Sequence, residues 1–183
     1  MSEKRKTYDN ATLRAPMRRV VEELESRGVD LTGRVALEFF AREGDWQTVS
    51  YASKVAELHA WEIDPVHEVA LRANLPGAHV RIGDAYQLAG LSEFAGRFDF
   101  INIDNPQGIF GDEDKYCEHF EALPLVRLLM RSRAIVIFDV NYRPYNYDRL
   151  PQWKRRREVF YGTEETATLG FDFIAECYRR GHW

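Results

Sequence analysis

Five short apolar runs in this sequence each end in, or one residue from, a carboxylate or its amide. The first closes on Glu38, the second on Glu62-Ile63-Asp64, the third on Gly83-Asp84-Ala85, the fourth on Asp104-Asn105-Pro106, and the fifth on Asp139 with Asn141. A carboxylate carries two oxygens with about four lone-pair sites, enough to accept from a pair of hydroxyls or from an amine and an amide together. It is also suited to capping the helix that follows a strand, because the first backbone N–H groups of a helix have no partner inside it. Asp64-Pro65 carries the capping reading most clearly: aspartate accepts from the free N–H groups, and proline at the first helical position gives up no hydrogen bond. A single acid at a strand end serves either purpose. Glu38, Glu62 and Asp84 at three successive strand ends favour a polar rim that binds a ligand.

These residues need elements to position them, and the hydrophobic pattern supplies an alternation of strands and helices. A polar arm covers residues 1–14. A leading helix follows over 15–28, with Met17, Val20, Val21 and Leu24 on one face, Pro16 in the first turn and Gly28 as the stop. Strands are expected at Arg34 to Phe40, Leu58 to Ile63, Ala78 to Ile82, Phe98 to Ile103 and Ala134 to Val140. Between them, Gly44 to Val55 reads as a weakly patterned helix with Trp46, Val49 and Ser53 on one side. The helix after Asp64 packs Val66, Val69, Ala70 and Ala73 and stops at Pro76-Gly77. Glu113 to Arg131 makes a helical stripe of Tyr116, Phe120 and Leu123 that Pro124 kinks or divides. Such an order implies parallel strands joined by right-handed helical crossovers, hence an α/β, Rossmann-like, open and mostly parallel sheet with helices on both faces. Ligands of open parallel sheets sit beyond the carboxyl ends of the strands, where the acids lie.

The succession Glu38-Phe39-Phe40-Ala41-Arg42-Glu43-Gly44, Trp61-Glu62-Ile63-Asp64-Pro65 and Gly83-Asp84-Ala85 resembles that of class I S-adenosylmethionine-dependent methyltransferases, over about Gly33 to Asn141. The resemblance implies S-adenosylmethionine as cofactor and methyl transfer to an oxygen or nitrogen nucleophile. It implies that Glu62 accepts from both ribose hydroxyls with Ile63 beside it, that Asp84 meets the exocyclic amine of adenine, and that the Ala85 N–H meets a ring nitrogen. Glu38 and Gly44 then shape the methionine pocket. Gly44 matches the last glycine of the family's first loop, whereas Phe40 and Arg42 stand where the first two glycines usually are. Arg42 reaches the cofactor carboxylate in this reading, or obstructs the site. Asp104-Asn105-Pro106-Gln107 occupies the place of the catalytic loop and is similar to the Asn-Pro-Pro-aromatic motif of amino methyltransferases, with Gln107 and Gly108 in place of the second proline and the aromatic. Asp104 and Asn105 are the implied catalytic residues, and Pro106, Asn141, Tyr142 and Arg143 the implied acceptor-binding ones. The departures at Phe40 and Arg42 leave a second reading open, a methyltransferase-like fold that serves as a binding or assembly module without catalysis.

The composition narrows the remaining classes. A chain of 183 residues with 45% hydrophobic content can bury one substantial core, and a single domain over 1–183 is expected. No apolar run approaches the roughly 20 residues of a membrane span, and the amino terminus lacks the apolar stretch of a secretory signal, so a cytoplasmic protein without a membrane partner is expected. Cys117 and Cys177 lack paired spacing, and the five histidines lack ligand spacing along the chain, so no metal site is expected. The chain has no Gly-x-Ser-x-Gly elbow, no phosphate-binding Gly-x-x-x-x-Gly-Lys-Ser/Thr loop and no Gly-x-Gly-x-x-Gly. A formal charge of −4 makes nucleic acid a secondary partner, with Lys154 to Arg157 read as a solvated helix face. After the fifth strand come a helix near Pro151 to Tyr161 and a strand from Phe171 to Tyr178. The family usually has one more terminal strand, so an open sheet edge is expected, covered by a second copy of the chain or by the arm. The methyl acceptor is not legible.

Overall fold

The computed structural model describes residues 10–103, 109–110 and 116–138. The chain divides into two compact units, residues 1–104 with 125–137 and residues 105–124 with 138–183. In the first unit, helix α1 (Asn10–Ser26) is followed by strand β1 (Val35–Glu38), strand β2 (Glu57–Glu62), helix α2 (Glu68–Asn74), strand β3 (His79–Ile82), helix α3 (Ala85–Ala89) and strand β4 (Phe98–Ile103). Two-residue strands β5 (Ile109–Phe110) and β6 (Tyr116–Cys117) form an antiparallel pair in the second unit. Helix α4 (Glu118–Leu129) and strand β7 (Met130–Phe138) complete the described elements.

The sheet runs β3-β2-β1-β4-β7, a parallel open sheet flanked by helices, as the alternation predicts. Position in the sheet explains composition. Central β1 and β4 are buried along their whole length, whereas β3, at the edge, alternates between exposed and buried. Along β2 the side chains take turns: Leu58 and Ala60 join a core with Ala36, Phe100, Tyr51, Leu71 and Leu75, against which Met17 and Val21 of α1 pack. His59 and Trp61 meet the rings of Phe94 and Phe98 instead.

At the amino end of the sheet, buried Asp99 joins three strands. Its Oδ1 accepts from the Val35 N–H at 2.8 Å and its Oδ2 from the Arg131 guanidinium at 2.8 Å. Asp99→Ala leaves a buried N–H and a guanidinium without their acceptor, so a loss of about 1–3 kcal/mol is expected. The check is a lower urea midpoint at unchanged slope.

Several expected elements are corrected. Helix α1 begins at Asn10, not residue 15, and Pro16 lies inside it. The missing proline N–H removes one hydrogen bond, while the early turns are tied down by tertiary contacts: the Arg14 Nε–H donates to the Asp45 carbonyl at 2.8 Å, and Met17 and Val21 are buried. Gly28, at φ +76°, does end that segment. In place of a helix over Gly44 to Val55 there is only a 3₁₀ turn at Thr48–Ser50. Asp64 caps as expected, accepting from the Val66 N–H, but it starts a 3₁₀ turn (Pro65–His67) before α2. The expected apolar face of α2 is also wrong: Val66 and Val69 are 72% and 83% exposed, and Leu71 and Leu75 are buried. Strand β7 starts at Met130 rather than Ala134, and α4 continues through Pro124. The arm over residues 1–9, the helix near 151–161 and the strand over 171–178 lie outside the described residues.

Among the described residues, no helix is long and apolar enough to cross a membrane.

Candidate functional site

Strand order reverses at β1, which has β2 on one side and β4 on the other, so the crevice of an open α/β sheet falls at the carboxyl end of β1. Register brings the acids to that end together: Glu38 is level with Ala60 and with Asn102, and Glu62 is level with Ile82, two residues before Asp84.

Glu38 is 1% exposed and forms the floor. Its Oε2 accepts from the Thr48 and Tyr51 hydroxyls, each at 2.7 Å, and from Asn102 Nδ2 at 2.9 Å; the same amide reaches Oε1 at 3.0 Å. A buried carboxylate needs such donors to offset its lost hydration. The network ties β1, the turn after the first loop, and the end of β4 into one unit. With these contacts Glu38 acts on the rim through the groups it holds.

The first loop is fixed from both ends. The Phe39 N–H donates to the Asn102 carbonyl at 3.0 Å and the Ala41 N–H to the Trp61 carbonyl at 2.8 Å, extending β1 between its neighbours. Arg42 then turns to φ +48°, a left-handed conformation that costs a non-glycine residue energy and that glycine adopts freely. The backbone shape suited to glycine is therefore kept at Arg42. The arginine side chain is exposed and lies over the Trp46 ring, 4.8 Å from its centroid. Gly44 follows at φ +68°, and a Cβ there would lie 2.7 Å from both Leu71 Cδ1 and Leu75 Cδ1, so its role here is close packing of the loop on α2. Asn74 of α2 adds a hydrogen bond from Nδ2 to the Glu43 carbonyl at 2.7 Å.

Glu62 joins the first loop to the second. Its Oε2 accepts from the Arg42 N–H at 2.6 Å and its Oε1 from the Asp64 N–H at 2.8 Å. Each oxygen has spent one acceptor position, which leaves about two lone-pair sites on the carboxylate. Ile63, next along, is 65% exposed. Asp84 Oδ1 caps α3 by accepting from the Tyr86 N–H at 2.9 Å, so at Asp84 the capping reading holds for one of its two oxygens. Ala85 is buried as the first residue of α3. The Phe40 ring is partly buried, 6.1 Å from that of Tyr86 and 4.9 Å from that of Phe39, on the side of the rim where α3 begins.

Glu38, Phe40, Arg42, Gly44, Glu62, Ile63, Asp84 and Ala85 thus all gather at the carboxyl ends of β1, β2 and β3. Asp104, Asn105, Pro106, Asn141, Tyr142 and Arg143 lie outside the described residues. Thr48, Tyr51, Asn74 and Asn102 were not legible as site residues. The i, i+3 spacing of Thr48 and Tyr51, two hydroxyls shortly after an acid, is the one signal that points to two of them.

No protein-family model matches the chain, and no curated protein matches it at a significant level. Solved structures do. A methyltransferase of Micromonospora echinaspora, CalS10, solved with S-adenosylmethionine bound and described as acting on an amino pentose, aligns with a TM-score of 0.55 at 13% identity, covering 78% of this chain and 61% of its own. A provisionally assigned O-methyltransferase of Klebsiella pneumoniae aligns at 0.54 with 18% identity, covering 94% and 70%. A precorrin 8w decarboxylase of Methanobacterium thermoautotrophicum aligns at 0.54 with 14% identity, covering 85% and 81%. At these identities the likeness is one of fold, and a fold hosts more than one chemistry. The chain has the Rossmann-like fold of class I S-adenosylmethionine-dependent methyltransferases.

Proposed function

We propose that this chain is an S-adenosylmethionine-dependent methyltransferase acting on an oxygen or nitrogen nucleophile. The observation that supports this most is Glu62: an almost fully buried carboxylate at the end of β2 that fastens two loops of one crevice and keeps acceptor capacity for a vicinal diol. When bound, the cofactor supplies a methyl group already activated on a sulfonium, so the protein contributes chiefly alignment of donor and acceptor. Glu62, with Ile63 beside it, would hold the ribose, the Ala85 N–H would meet a ring nitrogen of the base, and the second oxygen of Asp84 would meet the exocyclic amine. Glu38 and Gly44 keep the first loop in place under the methionine part. By the resemblance, Asp104 and Asn105 are the proposed catalytic residues, and Pro106, Asn141, Tyr142 and Arg143 the proposed acceptor-binding ones. These acceptors at Glu62 and Asp84 suit an adenosine, a ligand with hydroxyls and an amine to donate.

A second reading, a non-catalytic binding or assembly module, is favoured by one observation: a phenylalanine and an arginine stand where a glycine-rich loop would leave room, and the Phe40 ring sits near Tyr86. Calorimetric titration with S-adenosylmethionine and S-adenosylhomocysteine separates the two. Micromolar binding that Glu62→Gln weakens by about 1–3 kcal/mol, roughly 5- to 150-fold, is the expected result. A variant with a wild-type urea midpoint and unchanged affinity removes the ribose assignment. Absence of binding by the wild-type chain transfers the conclusion to the module.

A further inference from the structure

At the opposite end of β2 from Glu62, roughly 16 Å away along the strand, three potential metal ligands converge. Glu57 and His59 are two residues apart on β2 and so share a face, and His59 is level with His79, the first residue of β3. One ligand atom from each of Glu57, His59 and His79 lies within 4.8 Å of the others. The Glu57 Oε1 atom is 2.6 Å from His59 Nε2 and 3.6 Å from His79 Nε2, and the two imidazole rings have centroids 4.9 Å apart. Spacing along the chain hides this group; the parallel register creates it.

We propose that Glu57, His59 and His79 form a zinc-type divalent metal site that pins edge strand β3 to β2. Two imidazoles and one carboxylate are a zinc donor set, and three protein ligands leave a fourth position for water. Donors around a tetrahedral zinc lie about 3.3 Å apart, given bonds near 2.0 Å, so side-chain adjustments on the order of 1 Å complete the geometry. His79 is 62% exposed and gives the ion a way in. Among the described residues His59 Nδ1 is buried and has no hydrogen-bond partner, so Nε2, 2.6 Å from Glu57 Oε1, is the nitrogen placed to take a metal.

The charge now beside Glu57 is Arg97, 2.5 Å from Oε1 and about one-third exposed. A cation must displace that guanidinium, and this yields a signature that an ordinary ion network lacks. The purified chain is titrated with Zn²⁺ by calorimetry and with Co²⁺ by absorption spectroscopy. The expected result is one ion per chain, with the intense visible bands of tetrahedral cobalt. His79→Ala, at an exposed position, weakens binding roughly 10-fold or more, at least the loss that outer partners of metal sites produce. Arg97→Met tightens it several-fold. Zn²⁺ raises the unfolding temperature of the wild type and not of His79→Ala. Any of three results overturns the proposal: no stoichiometric binding at micromolar metal, His79→Ala binding like the wild type, or Arg97→Met binding no more tightly. Affinity for S-adenosylhomocysteine is expected to be the same in His79→Ala as in the wild type, so failure here leaves the cofactor reading intact.

Discussion

Glu38→Ala is expected to cost about 3–5 kcal/mol of stability, a large share of the 5–15 kcal/mol typical of a folded domain. The substitution strips the Thr48 hydroxyl, the Tyr51 hydroxyl and the Asn102 amide of their acceptor. Each orphaned donor costs about 1–3 kcal/mol, offset in part where water enters, and a cavity opens where the side chain was. Glu38→Gln keeps the volume and one acceptor oxygen but turns an amide toward donors, so a smaller loss of about 1–2 kcal/mol is expected. Urea unfolding of the three proteins measures this directly. The functional consequence runs through Asn102. Its amide is held by Glu38, and its backbone carbonyl receives the Phe39 N–H, so the end of β4 and the start of the first loop move together. Loss of S-adenosylhomocysteine binding in parallel with stability is the expected behaviour of a floor residue. A loss under 1 kcal/mol for Glu38→Ala shows that the network is dispensable.

What the sequence made legible depends on how local each physical cause is. The strands read clearly because burial between neighbours demands continuous apolar runs, and each run ended at an acid whose place at a strand's carboxyl end could be inferred from sheet topology alone. Asp64-Pro65 was legible as a cap because capping is decided within three residues. The face of α2 was not. Asp64 starts a 3₁₀ turn at three residues per turn before the α-helix at 3.6, so the phase carried forward from Val66 and Val69 was wrong, and the buried pair is Leu71 and Leu75 at i, i+4. Thr48 and Tyr51 were misplaced in a helix because their partner, Glu38, lies ten residues or more away and binds them outside any regular pattern. The histidines looked unrelated because strand pairing, and nothing along the chain, puts His59 beside His79. Arg42 is the converse case: its identity departs from glycine, while its φ of +48° keeps the conformation glycine would have.

Gly44→Ala is the second large effect, with an expected loss of about 3 kcal/mol. A β-carbon at φ +68° costs about 1–2 kcal/mol in backbone strain. The same atom would lie 2.7 Å from the terminal carbons of Leu71 and Leu75 and 3.0 Å from Leu75 Cγ, and overfilling a packed region costs about 1–3 kcal/mol more. The two contributions separate in a double-mutant cycle. Leu75→Ala alone removes a buried side chain and is expected to cost about 2–5 kcal/mol. In the double variant the new methyl enters part of the vacated space, so the losses are expected to fall short of additivity by about 1–2 kcal/mol, while the backbone strain persists. Strict additivity in urea unfolding shows that α2 recedes from the loop without cost. Gly44 also lies two residues from Arg42, whose N–H binds Glu62, so displacement of the loop reaches the proposed ribose site. A fall in S-adenosylhomocysteine affinity in Gly44→Ala, partly restored by Leu75→Ala, links helix packing to the cofactor rim; restoration of stability without affinity assigns the remaining defect to the left-handed backbone itself.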